Sequence, residues 1–70
     1  MVQYSIMQMV RRVDRNTREE VQSFGADYLR SAKMRFEELK RSYPDEYFEL
    51  LKIEHTEECL DFTQLKMVNV

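Results

Sequence analysis

The sequence predicts an all-α fold, a small bundle of about three helices around a long central helix, assembled as a dimer. Three observations predict it. Thr17 and Glu20 have the S/T-x-x-E spacing of a capping box, in which hydroxyl and carboxylate satisfy amides that the first helical turn leaves unpaired. Gly25, Leu29, Ala32, Phe36, Leu39 and Tyr43 recur four and three residues apart, the rhythm of a helix packed along a partner helix. The chain has 70 residues, 43% apolar and 34% charged, with one Gly and one Pro, which is the composition of a folded, helix-rich domain rather than a disordered segment. So short a chain buries little surface, so a second copy is expected to supply the rest of the core.

Residues 2 to 14 form the first expected helix, because Val2, Ile6, Met9, Val10 and Val13 share one helical face. A strand competes, since Val2, Tyr4 and Ile6 also alternate, but the helical stripe uses five residues and the strand pattern three. Residues 14 to 17 then make a tight connection or a slight kink. If helix simply continues through them, a single rod of about 40 residues would span about 60 Å and demand a partner.

The long helix is expected over residues 17 to 42, its stripe widened by Val21, Phe24 and Tyr28. Gly25 and Ala32, seven residues apart on that stripe, predict a close helix crossing, because a glycine inside a helix costs about 1 kcal/mol relative to alanine. Pro44 ends this segment and suits a new first turn, where Asp45 and Glu46 complement the helix dipole. A short helix is therefore expected over residues 44 to 55, with Tyr47, Leu50 and Leu51 as its apolar face and Phe48 at its edge. In residues 57 to 70, Cys59, Leu60, Phe62, Leu65, Met67, Val68 and Val70 fit neither period, leaving a last helical turn, a short strand and a partner-dependent tail all open. The apolar closing residues are expected to dock on the body or on another chain.

Net charge is -2, unevenly distributed: residues 1 to 42 carry nine Lys/Arg against six Asp/Glu, and residues 43 to 70 two against seven. Two helical arms that neutralise each other are the plain reading, and two surfaces for two partners the sharper one. A single cysteine closes no intrachain disulfide, no charged leader precedes an apolar run, and no run approaches the roughly 20 residues of a bilayer span. The expected location is the cytoplasm.

Catalysis has little to work with. Cys59 and His55 are the only nucleophile and base pair, four residues apart, with no third group to orient the imidazole. Glu54, Glu57 and Glu58 would raise rather than lower a thiol pKa there. One Cys and one His fall short of the four-ligand sets of structural zinc, and Asp45, Glu46 and Glu49 lack the glycine-centred loop of a calcium site. No cofactor is expected.

The function expected is that of a small non-enzymatic protein-binding regulator, inhibitor or assembly subunit acting through helical interfaces. Its helix–helix contacts would be Gly25, Leu29, Ala32, Phe36, Leu39 and Tyr43, and its surface for an unidentified protein Asp45, Glu46, Tyr47, Glu49 and Phe62. Met7, Met34, Tyr4, Tyr43 and Tyr47 add adaptable apolar surface of the kind found in interfaces. The alternative is a dimeric nucleic-acid-binding protein using Arg11, Arg12, Arg15 and Arg18. Arg30, Lys33, Arg35, Lys40 and Arg41 extend that basic surface, but Asp14, Glu19, Glu20, Asp27, Glu37 and Glu38 are interleaved, and the total charge is negative.

Overall fold

A computed structural model describes residues 1–63 and shows four antiparallel strands with one helix laid across them. The elements are β1 (Gln3–Arg11), β2 (Asn16–Gly25), a 3-10 turn (Ala26–Tyr28) leading into α1 (Leu29–Ser42), β3 (Tyr47–Ile53) and β4 (Glu57–Phe62). The strands lie in the order β2-β1-β3-β4. Both β2 and β3 pair antiparallel with β1, so they run in the same direction with β1 between them. Joining two such strands takes a long crossover over one face of the sheet. That is the task of α1, and it fixes which face is covered.

The all-α bundle is thereby corrected: the fold is mainly sheet. The expected helix over residues 2 to 14 is instead β1 and the start of a hairpin, and the alternation Val2, Tyr4, Ile6 was the true signal. Tyr4 and Ile6 are buried beneath α1, with Val2 packed beside them. The Thr17–Glu20 capping box does not form. Both residues lie in β2, where the Thr17 hydroxyl donates to the Glu19 carboxylate at 3.2 Å and Glu20 accepts from Ser5. The expected helix over residues 17 to 42 therefore begins only at residue 26. β2 was illegible because it is an edge strand with eight of ten residues exposed, so no apolar alternation marks it, and pairing with β1 decides its conformation.

Within α1, Ala32, Phe36 and Leu39 are buried and Leu29 packs at the margin. The stripe is real, but it packs against the sheet within one chain rather than against another helix. Gly25 is not inside a helix at all. It closes β2 in extended geometry, and a side chain there would meet the Tyr28 ring at an ordinary 3.6 Å. The close approach belongs to Ala32 alone, fully buried between helix and strands. Tyr43 stands beyond the helix, 55% exposed, its ring centroid 6.5 Å from that of Phe48. Lys40 and Arg41 in the last turn complement the dipole, and the Tyr43 amide donates back to Leu39 at 2.9 Å.

The break around Pro44 stands where expected, but the segment after it is β3, not a helix over residues 44 to 55. Phe48 and Leu50 enter the core, and Leu51 is buried on the opposite face. Tyr47, Phe48, Leu50 and Leu51 satisfy one helical face as well as they satisfy a strand, and Glu49 and Lys52 interrupt any apolar alternation. Of the structures left open for the last segment, residues 57 to 62 form the strand. Its register against β3 shifts between Leu50 and Leu51, leaving Leu60 unmatched between Cys59 and Asp61, which is why neither period fits. A second shift, between Ile6 and Met7, leaves Val21 unmatched in β2. Leu65, Met67, Val68 and Val70 lie outside the described residues.

Tyr4, Ile6, Ala32, Phe36, Leu39, Phe48 and Leu50 form the core, between α1 and β1–β3. Thr63 ties β3 into it: the Phe48 amide donates to its hydroxyl, and its own amide donates to the Phe48 carbonyl, each at 3.0 Å. No helix among the described residues is long and apolar enough to cross a membrane.

Candidate functional site

Side chains alternate across a strand, so everything that does not face α1 faces the other way. On β1 these are Ser5, Met7 and Met9, and on β3 Tyr47, Glu49, Leu51 and Ile53. The register adds Arg18 and Glu20 from β2, opposite Met9 and Met7. It also adds Phe62, Cys59 and Glu57 from β4, opposite Glu49, Leu51 and Ile53. No element among the described residues covers this face. Phe62 is 50% exposed, while Met7, Met9, Tyr47 and Ile53 are half-buried.

Arg18 organises the middle of it. Its guanidinium reaches from β2 across β1 to Glu49 on β3 at 3.3 Å and Glu57 on β4 at 3.5 Å. Of the five ion pairs among the described residues, only these two join the basic N-terminal part to the acidic C-terminal part. Arg12–Glu19 lies within one hairpin, and Arg35–Glu38 and Glu37–Lys40 lie within α1. The expected neutralisation of two arms thus comes down to one arginine. Beneath it, Met9, Tyr47, Leu51 and Cys59 line a shallow depression of about 610 Å3. At its edge the buried Ser5 hydroxyl donates to Glu20 at 2.7 Å, with the Met7 sulfur 3.6 Å away.

The depression shifts two titrations. Partial burial pushes the Tyr47 hydroxyl up, with the Glu49 carboxylate adding to the effect. The Cys59 thiol is pushed up by the same two causes in the same order. Both groups are held neutral, which is the reverse of what an activated nucleophile requires. His55 sits in the turn between β3 and β4, no longer one helical turn from Cys59. Among the described residues, no group of three or more His, Cys, Asp or Glu is arranged to hold a metal ion.

The expected protein-binding residues divide. Tyr47, Glu49 and Phe62 come together on the open face, with Glu49 directly across from Phe62. Asp45 and Glu46 precede β3, lining a notch with Met9, Arg11, Asn16 and Tyr47. Glu46 accepts a hydrogen bond from the Gln8 amide at 3.3 Å. The four arginines divide too. Arg11, Arg12 and Arg15 surround the tip of the β1–β2 hairpin, closed by the Arg12 amide donating to the Arg15 carbonyl at 2.8 Å, whereas Arg18 is held on the open face. Met7, Met9, Leu51 and Arg18 were missed as parts of one surface. The alternation Tyr47, Glu49, Leu51, Ile53 is the signal that marks it, and the helical reading of β3 concealed that alternation.

Comparison with family models, with curated proteins and with solved structures gives no match for this chain.

Proposed function

We propose that this chain is a small non-enzymatic protein-binding regulator, inhibitor or assembly subunit that takes its partner on the open face of the sheet. The observation that carries the reading is the allocation of one helix to a sheet with two faces. The uncovered face presents Phe62, Tyr47, Met7, Met9 and Ile53, side chains that give large or adaptable contact area. Glu20, Glu49 and Glu57 outnumber Arg18 on that face, so the partner segment it favours is apolar with basic residues at its rim. An exposed free thiol at Cys59 suits a reducing compartment, and we place the protein in the cytoplasm.

The reading is tested by placing a photo-crosslinking residue at Phe62 and, separately, at Met34 on the exposed side of α1, and irradiating living cells that produce each. A discrete heterologous adduct from position 62, absent from position 34 and lost with Tyr47→Glu, supports it. An adduct of twice the chain mass identifies a second copy as the occupant. The same adducts from both positions would sink the assignment of the face.

A further inference from the structure

We propose that the free end of the β1–β2 hairpin binds duplex nucleic acid, entering the major groove with Arg11, Arg12 and Arg15 against the phosphates. This site lies at the end of the sheet, bordered by Met9 and Tyr47 of the open face. The pairing of β1 with β3 ends at Met9 and Tyr47, whereas its pairing with β2 continues through Val10 with Thr17 and Arg11 with Asn16. The last two rungs and the 12–15 loop therefore form a two-stranded ribbon with no third strand beside it.

At about 3.3 Å per residue, the two strand residues beyond Met9 carry the ribbon about 7 Å past the third strand, and the 12–15 turn extends it further. The major groove of B-form DNA is about 12 Å wide and about 8.5 Å deep, and it admits a two-stranded ribbon. The turn can thus enter the groove ahead of the body of the protein, with the Asp45–Tyr47 segment beside its base. Val13 is fully exposed at that tip, an apolar side chain suited to a thymine methyl.

The loop itself is locally basic, although Glu19, Asp45 and Glu46 beside it bring the acidic groups to four against its three arginines. Residues 10 to 17 carry three arginines against Asp14. Among the described residues neither Arg11 nor Arg15 has a carboxylate at ion-pair distance, and Arg12 has only its exposed partner Glu19. Glu54 lies in the β3–β4 turn beyond Ile53, which pairs with Gln3 at the far end of the sheet, and Glu57 is engaged by Arg18 on the open face. Asp45 and Glu46 oppose the site, since they share the notch with Arg11. Removing them is accordingly part of the test.

The experiment is fluorescence anisotropy with a labelled mixed-sequence DNA duplex of about 20 base pairs, titrated at several salt concentrations from about 50 mM upward. The wild-type chain is expected to bind, with affinity falling as salt rises. Arg11→Ala with Arg15→Ala should weaken binding at least about tenfold and lower the salt slope by about two, one for each lost phosphate contact. Asp45→Asn with Glu46→Gln should tighten binding, and Arg18→Ala should leave the salt slope unchanged. Circular dichroism on each variant confirms the fold, because none of these side chains enters the core. The proposal is overturned by no binding at about 50 mM salt, by binding indifferent to the Arg11 and Arg15 changes, or by equal affinity for the single strand or for anionic lipid vesicles.

Discussion

Tyr47 and Phe48 are neighbours on one strand and both aromatic, yet they stand in two different environments. Phe48 is 2% exposed, roofed by α1 and bonded through its backbone to Thr63. Tyr47 is half-buried on the open face beside Glu49 and Cys59. Ile6 and Met7 repeat the contrast one strand away, with Ile6 fully buried and Met7 partly accessible. The backbone is shared, so the difference comes from α1. Apolar surface removed from water by the helix contributes to stability at about 25 cal/mol per Å2, whereas surface left open contributes only when something arrives to cover it. One sheet thereby carries both the side chains that hold the protein together and a face that no other element among the described residues covers.

The sharpest way to break that division is to truncate one aromatic on each side. Phe36→Ala on the covered side should cost about 3–5 kcal/mol, enough to unfold a domain of this size, while Phe62→Ala on the open side should stay within about 0.5 kcal/mol. Urea denaturation of both variants checks this, and equal losses would erase the distinction. Next in size is Thr63→Val, which keeps the volume but leaves the buried Phe48 amide without its side-chain acceptor. A loss of about 1–3 kcal/mol is expected in the same assay.

Arg18→Met should cost less than about 1 kcal/mol, because Arg18 and Glu57 are substantially exposed and Glu49 partly so, and the loss should shrink at high salt. A larger, salt-independent loss would make the open face part of the structural core. The smallest effect concerns alkaline pH. Folding raises the Tyr47 and Cys59 titrations, so the stability linked to them is complete below their ordinary values and lost as pH rises through the shifted ones. Thermal unfolding between about pH 8 and pH 11 should show this decline, and Tyr47→Phe with Cys59→Ser should flatten it.

What the sequence disclosed follows from where burial is one-sided. The stripe Leu29, Ala32, Phe36, Leu39 was legible because α1 has one dry face, and the chain break at Pro44 was legible because proline restricts its neighbours irrespective of fold. The partner of that stripe was not legible. A helix buries the same residues against a sheet as against a helix, so a four-and-three rhythm does not name what it packs on. β3 was misread because Tyr47, Phe48, Leu50 and Leu51 also fit one helical face, and β2 because exposure on both faces leaves no apolar alternation to see. In β4 the bulge at Leu60 breaks the period outright. Of the site, Tyr47, Glu49 and Phe62 were named together with Asp45 and Glu46 as a partner surface, from the acidic and apolar character of the C-terminal part. Their union with Met7, Met9 and Arg18 depends on strand order, which short-range periodicity does not encode.

The unmatched residues Val21 and Leu60 fall on the two outer strands, one on each side of the sheet. A straight, fully paired outer strand is an open invitation to further strands, and a chain with two such borders would polymerise into cross-β fibrils. Each bulge twists its border and interrupts the ladder of free amides and carbonyls, with Glu20 flanking one and Asp61 the other. Among the described residues, neither border therefore offers a straight, uninterrupted ladder to a further strand.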